Sequence, residues 1–177
     1  MKFDPSIIQT PFKSPLGPIV LAATQHGLAG LWFEGQRHLP TELAGPSVWA
    51  TSSSHPVLQQ TAAQLTEYFA GRRSRFDVPL DLASGTAFQQ AVWQALLVIA
   101  HGKTLSYGEV SSRIGKPTAV RAVGAAIGRN PISIIVPCHR VVGASGQLTG
   151  YAGGLERKTA LLQLEGVLAP ENLESLF

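Results

Sequence analysis

The chain has 177 residues, of which 45% are hydrophobic and 14% are charged, and its formal net charge at pH 7 is +3. This length and composition exclude a disordered chain and are typical of one folded domain or two small ones. No apolar run approaches the roughly 18 residues of a membrane span, and the N-terminus lacks the apolar core of a signal peptide. The single cysteine, Cys138, excludes an internal disulfide. We therefore expect a cytoplasmic protein that does not bind membranes.

The first predicted elements form a small α/β unit. Two apolar runs, 18–23 and 28–33, flank Thr24-Gln25-His26-Gly27, and this spacing predicts a β-hairpin. Residues 56–70 predict a helix, because a proline stands in the first turn and an apolar stripe follows it. We therefore predict an α/β N-terminal domain, a small sheet plus a helix, over residues 1–82.

The rest of the chain is predicted to be mainly helical. A linker at 81–85 precedes Thr86, which is predicted to cap a helix. Further along, two short helices flank the turn Gly115-Lys116-Pro117, which is helix-turn-helix spacing. The helices that follow the first are predicted over 106–114, 118–128 and about 155–165. We therefore expect a mainly α C-terminal domain over residues 83–177, with a helix-turn-helix and a winged-helix-like fold.

The predicted helix over 118–128 has two unlike faces. The apolar face is expected to pack, and its members are Val120, Val123 and Ile127. The other face carries Arg121 beside Gly124 and Gly128, although glycine inside a helix costs about 1 kcal/mol relative to alanine. Close approach of a DNA backbone explains this small face, with Arg121 reaching into a groove, and close packing of another helix is the alternative.

Positive charge is concentrated in the C-terminal half. Residues 1–85 carry equal numbers of basic and acidic side chains, whereas residues 101–158 carry eight basic ones against Glu109 and Glu156. The eight are Lys103, Arg113, Lys116, Arg121, Arg129, Arg140, Arg157 and Lys158. This excess favours an anionic partner such as a phosphate backbone, and a solvated basic face is the alternative.

The candidate chemistry centres on Cys138. It lies in Ile134-Ile135-Val136-Pro137-Cys138-His139-Arg140-Val141-Val142, where an apolar run breaks at a proline and brings a thiol beside an imidazole and a guanidinium. Because cationic neighbours lower the pKa of a thiol, His139 and Arg140 make Cys138 a candidate nucleophile. An inert buried cysteine is the alternative interpretation.

A carboxylate near the C-terminus is a candidate partner for this histidine. Glu165 stands at the end of the predicted last helix, whose buried side is expected to consist of leucines. These leucines are Leu155, Leu161, Leu162 and Leu164. A carboxylate in this position must reach solvent or find a partner, and a bond to one nitrogen of His139 would orient the imidazole and raise its basicity.

Six motifs stand in a distinctive order along the chain. They are Gly85-Thr86-Ala87-Phe88-Gln89-Gln90-Ala91-Val92-Trp93, Ser106-Tyr107-Gly108, Arg121-Ala122-Val123-Gly124, Asn130-Pro131, Pro137-Cys138-His139-Arg140-Val141-Val142 and Gly150-Tyr151-Ala152-Gly153-Gly154. In order and spacing they resemble the O6-alkylguanine-DNA alkyltransferase family, also called methylated-DNA-protein-cysteine methyltransferases. The resemblance is dense over residues 85–166, and the hairpin resembles the family's N-terminal α/β domain.

The resemblance implies repair of DNA by direct reversal. A protein of this family binds double-stranded DNA in the minor groove, flips out an O6-alkylguanine and transfers the alkyl group irreversibly to a cysteine, here Cys138. O4-alkylthymine would be a weaker substrate, and each molecule would act once because the thioether is stable. The resemblance further implies no cofactor, a monomer in solution and the option of cooperative assembly on DNA. Since the chain has no second cysteine, no structural zinc is expected.

The resemblance also assigns roles to residues of this chain. The catalytic set is Cys138, His139, Glu165, Asn130, Tyr107 and Lys158. DNA contacts are expected from Arg121, Tyr107, Thr118, Ala122, Gly124 and Arg129, and the guanine pocket from Val141, Tyr151, Ala152 and Gly153. Within these sets His139 would deprotonate Cys138 through a water, and Arg121 would occupy the space that the flipped base leaves.

Three other functions stay open at this point. A non-catalytic alkyltransferase-like protein would bind alkylated DNA, but such relatives replace the acceptor cysteine, and Cys138 is present. A cysteine hydrolase would regenerate its thiol and turn over many times. A helix-turn-helix regulator would prefer one DNA sequence strongly.

Overall fold

The N-terminal part of the protein is a four-stranded sheet with one helix against it. The structure, a computed structural model, describes residues 1–44 and 49–170. The elements of this part are β1 (Ile8–Ser14), β2 (Gly17–Thr24), β3 (Gly27–Phe33), β4 (Ala50–Thr51) and α1 (Pro56–Phe69). The strand order is β3-β2-β1-β4; β1, β2 and β3 pair antiparallel, and β4 pairs parallel with β1. The predicted hairpin is confirmed as β2 and β3 and the predicted helix as α1, whereas β1 and β4 do not follow from the sequence pattern.

The C-terminal part is mainly helical, as the sequence predicts. Its elements are α2 (Ala87–Leu97), β5 (Leu105–Ser106), α3 (Tyr107–Arg113), α4 (Val120–Gly128), β6 (Val141–Val142) and α5 (Leu155–Leu164). Thr86 and Ser106 begin α2 and α3 through capping boxes, in which Gln89 and Glu109 complete the reciprocal bonds. The helix-turn-helix is thus α3 and α4, and β5 and β6 form a short parallel pair beside it. Residues 45–48 and 171–177 of the two predicted domains lie outside the described residues.

Three apolar residues predicted to be buried are exposed. Val120 is 39% exposed at the first position of α4, and the buried residues of that helix are Val123, Ala126 and Ile127. Leu155 and Leu164 are 48% and 36% exposed because they stand at the two ends of α5, where the core covers only the middle turns. Lys158 is fully buried in those middle turns, which a pattern of leucines does not predict.

The two halves of the chain share one hydrophobic core. A single cluster of buried residues includes side chains of the sheet, of α1 and of the C-terminal helices. Backbone hydrogen bonds also join the two halves. Leu31 in β3 donates to the carbonyl of Pro131 at 2.8 Å and accepts from the amide of Ser133 at 3.0 Å. The N-terminal sheet therefore fixes the segment that leads to Cys138. No helix within the described residues is long and apolar enough to cross a membrane.

Candidate active site

Two tight turns lie directly before Cys138 in the chain. Ile134 has a φ of 72° in a three-residue turn that the amide of Ile135 closes on the carbonyl of Ser133 at 2.8 Å. This is a strained conformation for a β-branched residue, and the surrounding packing maintains it. Pro137 then forms an inverse γ-turn, with φ −82° and ψ 65°, which the amide of Cys138 closes at 2.8 Å.

Cys138, His139 and Arg140 form a single 3₁₀ turn. Because such a turn has three residues, consecutive side chains project about 120° apart. The guanidinium of Arg140 accordingly reaches the Ile99 carbonyl, at 2.6 Å, and the Glu165 carboxylate. Adjacency in the sequence therefore does not place the charge of Arg140 beside the thiol.

The thiol of Cys138 is buried, with 5% of the residue exposed. Burial raises the pKa of Cys138, and a hydrogen bond from Asn130 and the charge of Lys158 partly oppose this rise. The expectation that Arg140 lowers the thiol pKa is wrong, because that guanidinium is bound elsewhere. Ionisation of Cys138 therefore needs a base at the moment of reaction.

Asn130 joins the end of α4 to the cysteine segment. Its amide nitrogen donates to the Val136 carbonyl at 2.8 Å and to the Cys138 sulfur at 3.1 Å. Its side-chain oxygen accepts from the amide of Ile132 at 2.9 Å. The structure thus brings together two members of the predicted catalytic set, with a donor aimed at the atom that would carry the thiolate charge.

Glu165 is the centre of a buried charged cluster. Its Oε1 accepts from His139 Nε2 and Arg140 Nη2, each at 2.8 Å, and its Oε2 accepts from Arg140 Nε at 2.8 Å. Burial alone would raise the pKa of Glu165, but the bonds and charges of His139 and Arg140 outweigh it and hold that pKa well below its usual range. The carboxylate is therefore ionised, and the predicted pairing of Glu165 with His139 is present in the geometry.

This pairing determines the tautomer of His139. A carboxylate accepts hydrogen bonds, so Nε2 carries the proton in the neutral ring and Nδ1 carries the lone pair. Burial lowers the pKa of His139 more strongly than Glu165 raises it, so the imidazole is neutral. The buried Nδ1 has no hydrogen-bond partner in residues 1–44 and 49–170 and can accept a proton.

A residue that the sequence analysis does not single out also reaches this cluster. Tyr68, near the end of α1, donates its hydroxyl to Glu165 Oε1 at 2.7 Å. Tyr68 stands three residues after the buried Leu65, on the packed side of the helix. A tyrosine on a buried face needs a partner for its hydroxyl, and this was the available signal, although it does not say which partner.

A cavity of about 130 Å³ opens beside the thiol. Its lining residues are Arg37, His38, Tyr107, Gly124, Ile127, Gly128, Cys138, Gly150, Tyr151 and Ala152. Arg37 and His38, which the sequence analysis leaves out, come from the N-terminal part, and the Arg37 amide donates to the Ala152 carbonyl at 2.9 Å. Of the predicted pocket residues, Tyr151 and Ala152 line this cavity, whereas Val141 and Gly153 do not. Val141 is fully buried in the core, and its backbone carbonyl accepts from Lys158 at 2.6 Å.

Lys158 holds the loop that closes the cavity. Besides Val141, its ammonium donates to the carbonyls of Thr149 and Gly150, at 3.1 and 3.3 Å. Burial lowers the pKa of Lys158 to about 8, and the charge that Cys138 carries when ionised opposes this shift. The Tyr107 hydroxyl donates to the same Thr149 carbonyl at 3.1 Å. The loop around 149–152 is therefore fixed from α5 and from α3.

The predicted DNA-contacting residues form an exposed surface next to this cavity. The exposed members are Thr118, Arg121, Ala122 and Arg129, with Thr118 in the turn before α4 rather than in the helix. Gly124 and Gly128 line the cavity on the same helix. A Cβ at Gly124 would only touch the ring of Tyr107, at 3.8 Å, so close packing within the protein does not explain this glycine.

Comparison with known proteins gives a consistent result over both halves of the chain. The family model described as 6-O-methylguanine DNA methyltransferase, ribonuclease-like domain, matches residues 7–82. The model described as 6-O-methylguanine DNA methyltransferase, DNA binding domain, matches residues 87–167.

Individual proteins are similar over almost the whole length. The methylated-DNA–protein-cysteine methyltransferase of Mycobacterium tuberculosis is 51% identical over 160 residues, which are 90% of this chain and 93% of that protein. The one from Methanosarcina acetivorans is 48% identical over 156 residues, 88% of this chain and 96% of that protein. The crystal structure of M. tuberculosis OGT in complex with DNA superposes with a TM-score of 0.80 at 48% identity, covering 94% and 96% of the two chains.

Proposed function

The chain belongs to the 6-O-methylguanine DNA methyltransferase family, and on this premise we propose that it repairs alkylated DNA by transferring the alkyl group of O6-alkylguanine to Cys138. The observation that carries the assignment to Cys138 is its buried thiol in the cavity beside α4, with a hydrogen bond from Asn130 to the sulfur and the hydrogen-bonded pair of His139 and Glu165 next to it in the fold. O4-alkylthymine is the weaker substrate in this proposal. We further propose that residues 1–82 and 83–177 are its two domains.

The reaction is a displacement at the alkyl carbon. The sulfur of Cys138 forms a bond to that carbon while the carbon–oxygen bond to the guanine breaks, and its electron pair moves into the purine. The proton of the thiol leaves through His139, and the guanine gains one proton on release, so that thiol and alkylguanine become thioether and guanine. Cysteine suits this step because its thiolate is a strong and soft nucleophile. The thioether does not revert, so each molecule reacts once.

His139 and Glu165 supply the base in this proposal. The free Nδ1 of His139 takes the thiol proton through a water molecule, while Glu165 holds the opposite nitrogen and stabilises the imidazolium that forms. Asn130 donates to the sulfur and stabilises the developing thiolate. This arrangement fits a thiol whose pKa is raised by burial, because the charge then develops only when the base accepts the proton.

We propose that the exposed surface of α4 binds the minor groove. Arg121 projects from the first turn and would fill the stack where the flipped base has left, which offsets part of the few kcal/mol that unstacking costs. Because Gly124 has no side chain, a DNA backbone could approach this face of α4 closely. Thr118, Ala122 and Arg129 would contact the DNA on either side of Gly124. Most contacts would go to phosphates, which suits a protein that must scan any sequence. The monomeric state and cooperative assembly on DNA belong to the same proposal.

The flipped guanine would enter the cavity beside Cys138. Tyr107 lines the cavity with its ring near Gly124 of α4, where its hydroxyl can approach the phosphate of the flipped nucleotide or the purine. Tyr151 and Ala152 line the cavity, and Lys158 acts indirectly by holding the loop that leads to them. Val141, in β6, and Gly153, just after the loop, would act through their backbone groups, because neither lines the cavity.

The test is the mass of the intact protein after incubation with a duplex that contains one O6-methylguanine, with Cys138→Ser as the control. A gain of one methyl group per wild-type molecule, absent from the variant and stopping at one equivalent, is the expected result. Binding without a mass change would contradict the proposal and favour a damage-recognition or regulatory protein. Repeated turnover with an unmodified thiol would favour a cysteine hydrolase.

A further inference from the structure

Tyr68 belongs to the N-terminal part of the protein, but its hydroxyl lies in the active-site cluster. It stands 97 residues before Glu165 in the chain and donates to Oε1 of that carboxylate at 2.7 Å. Its ring packs edge-on against Phe69 and at a tilt against Phe76, with the ring centroids 5.4 Å apart in each case. The ring of Tyr68 thus packs in the hydrophobic core, whereas its hydroxyl donates to the ionised Glu165 carboxylate.

Oε1 of Glu165 receives three donors at hydrogen-bond distance. These are the Tyr68 hydroxyl, His139 Nε2 and Arg140 Nη2, at 2.7, 2.8 and 2.8 Å. A carboxylate oxygen has two lone-pair sites, so the three donors compete for the same electron density. Each hydrogen bond to an ionised carboxylate lowers its basicity, and removal of one donor leaves more of the charge to the others.

We propose that Tyr68 is a positioning residue of the proton relay: its hydroxyl fixes Glu165 and withdraws part of the carboxylate charge from His139. The N-terminal part of the protein thereby sets how strongly His139 binds a proton. The inference rests on the proposed function for its link to alkyl transfer. It adds to that function a residue outside the helix-turn-helix and the cysteine loop.

The other charged groups around the relay determine the direction of the expected effect. His139 is buried, which disfavours its proton, and the charges of Arg140 and Lys158 disfavour it as well, while Glu165 favours it. Around Tyr68 lie Glu165, Arg140, the phenol of Tyr151 and the ring of His101, whose centroid is 6.4 Å away. Loss of the Tyr68 hydroxyl removes a donor that competes with His139 and leaves the other groups in place. The pKa of His139 should therefore rise.

The first test is the pH dependence of single-turnover methyl transfer by Tyr68→Phe. The acid limb of the rate profile should move to higher pH by about half to one unit, since the variant must lose a more tightly held proton from His139. The matched control is Phe76→Leu, which disturbs the packing of the same ring but keeps the hydroxyl. It should lower the melting temperature and leave the limb where it is in the wild type. Profiles of Tyr68→Phe and wild type that superpose would overturn the inference.

A second measurement does not depend on DNA. Nitrogen-15 NMR of the His139 ring follows its protonation directly, and in Tyr68→Phe its midpoint should rise by the same amount. An unchanged midpoint contradicts the role of Tyr68, even if the wild type transfers methyl groups normally. Wild-type protein that transfers no methyl group at any pH contradicts the proposed function instead, so the two failures are distinguishable.

A third variant covers the case in which Tyr68→Phe does not fold. Site-specific replacement of Tyr68 by 3-fluorotyrosine keeps the ring and the hydroxyl but makes the hydroxyl a stronger donor. The midpoint of His139 should then move to lower pH. A shift in the same direction as in Tyr68→Phe, or no shift, would contradict the proposed sharing of the Glu165 charge.

Discussion

Cys138 lies between two regions of opposite character. Behind it, Glu165, His139 and Arg140 are buried, and the carboxylate accepts a hydrogen bond from each of the other two and from Tyr68. In front of it, Arg121 is exposed on α4, and its side chain makes no hydrogen bond or ion pair within residues 1–44 and 49–170. The buried charges have partners within the protein, whereas the exposed charge of Arg121 is the proposed contact for DNA. Substitutions of the buried charged residues should therefore lower stability and rate together, whereas substitutions on the exposed face of α4 should weaken DNA binding without lowering stability much.

The largest effect is expected from Glu165→Gln. The change leaves Arg140 buried without its counter-charge, so the free energy of unfolding should fall by about 3–5 kcal/mol. Methyl transfer should slow by about 100-fold or more, because His139 loses the group that orients it and stabilises its charge. Chemical denaturation and single-turnover kinetics measure the two effects. Glu156→Gln, at the exposed start of the same helix, is the control and should cost less than about 1 kcal/mol; similar losses in both variants would erase the distinction between the two regions.

Asn130→Ala should have the next largest effect. It removes the acceptor for the Ile132 amide and the donor to Val136 and to the Cys138 sulfur, which should cost about 1–3 kcal/mol. The thiol should also ionise less readily, which the pH dependence of its reaction with iodoacetamide measures. Asn130→Asp keeps the acceptor but places a negative charge beside the sulfur. It should therefore raise the thiol pKa further, and a lower pKa would count against this account.

Acid should lower the free energy of unfolding by protonating the buried charged cluster. The pKa of His139 is lowered in the folded state, so the stability that the neutral ring contributes is complete above its unfolded value of about 6.5 and is lost as pH falls below it. The loss is about 1.4 kcal/mol for each pH unit in which only the unfolded ring is protonated. Glu165, whose folded pKa is also lowered, adds a further loss below its unfolded value of about 4.3. Urea denaturation between pH 7 and pH 4 should show this slope, and His139→Gln should lack its upper part.

Arg121→Ala tests the exposed region. The free energy of unfolding should change by less than about 0.5 kcal/mol, since the side chain is exposed. Affinity for a duplex that contains O6-methylguanine should fall about tenfold, which is the loss expected for one specific contact. Fluorescence anisotropy in a Cys138→Ser background measures binding without reaction. Arg113→Ala, on the exposed side of α3, is the matched control. An equal loss of affinity in this variant would show that Arg121 contributes only its positive charge and not a specific contact.

The smallest effect is expected from Gly124→Ala. The new methyl group would only touch the ring of Tyr107 at ordinary contact distance, so helix propensity should raise stability by up to about 1 kcal/mol. The same methyl group should weaken DNA binding if the backbone approaches this face closely. Gly128→Ala, at the last position of α4 where nothing lies within 4 Å, gives a second measure of the effect on stability. A variant at Gly124 that is stabilised and binds DNA normally would show that no backbone comes near.

Local patterns in the sequence were sufficient to predict the main elements and the candidate nucleophile. The cap at Thr86, the hairpin around 24–27 and the turn at 115–117 depend on neighbours within a few residues, so they could be predicted. The resemblance to a known family likewise depends on order and spacing, and it identified Cys138 before any geometry.

Only the tertiary structure determined which groups bind the Glu165 carboxylate. The sequence places Arg140 two residues from Cys138, but a 3₁₀ turn directs it to Glu165 instead. The sequence places Tyr68 far away, but the shared core brings its hydroxyl to the same carboxylate. Hydrogen bonds between distant residues depend on how helices and sheet pack, and a buried charge takes whichever partners that packing offers. Sequence by itself therefore predicted the candidate nucleophile, the pairing of Glu165 with His139 and the helices that carry the site, while only the fold determined that Arg140 and Tyr68 also bind this carboxylate.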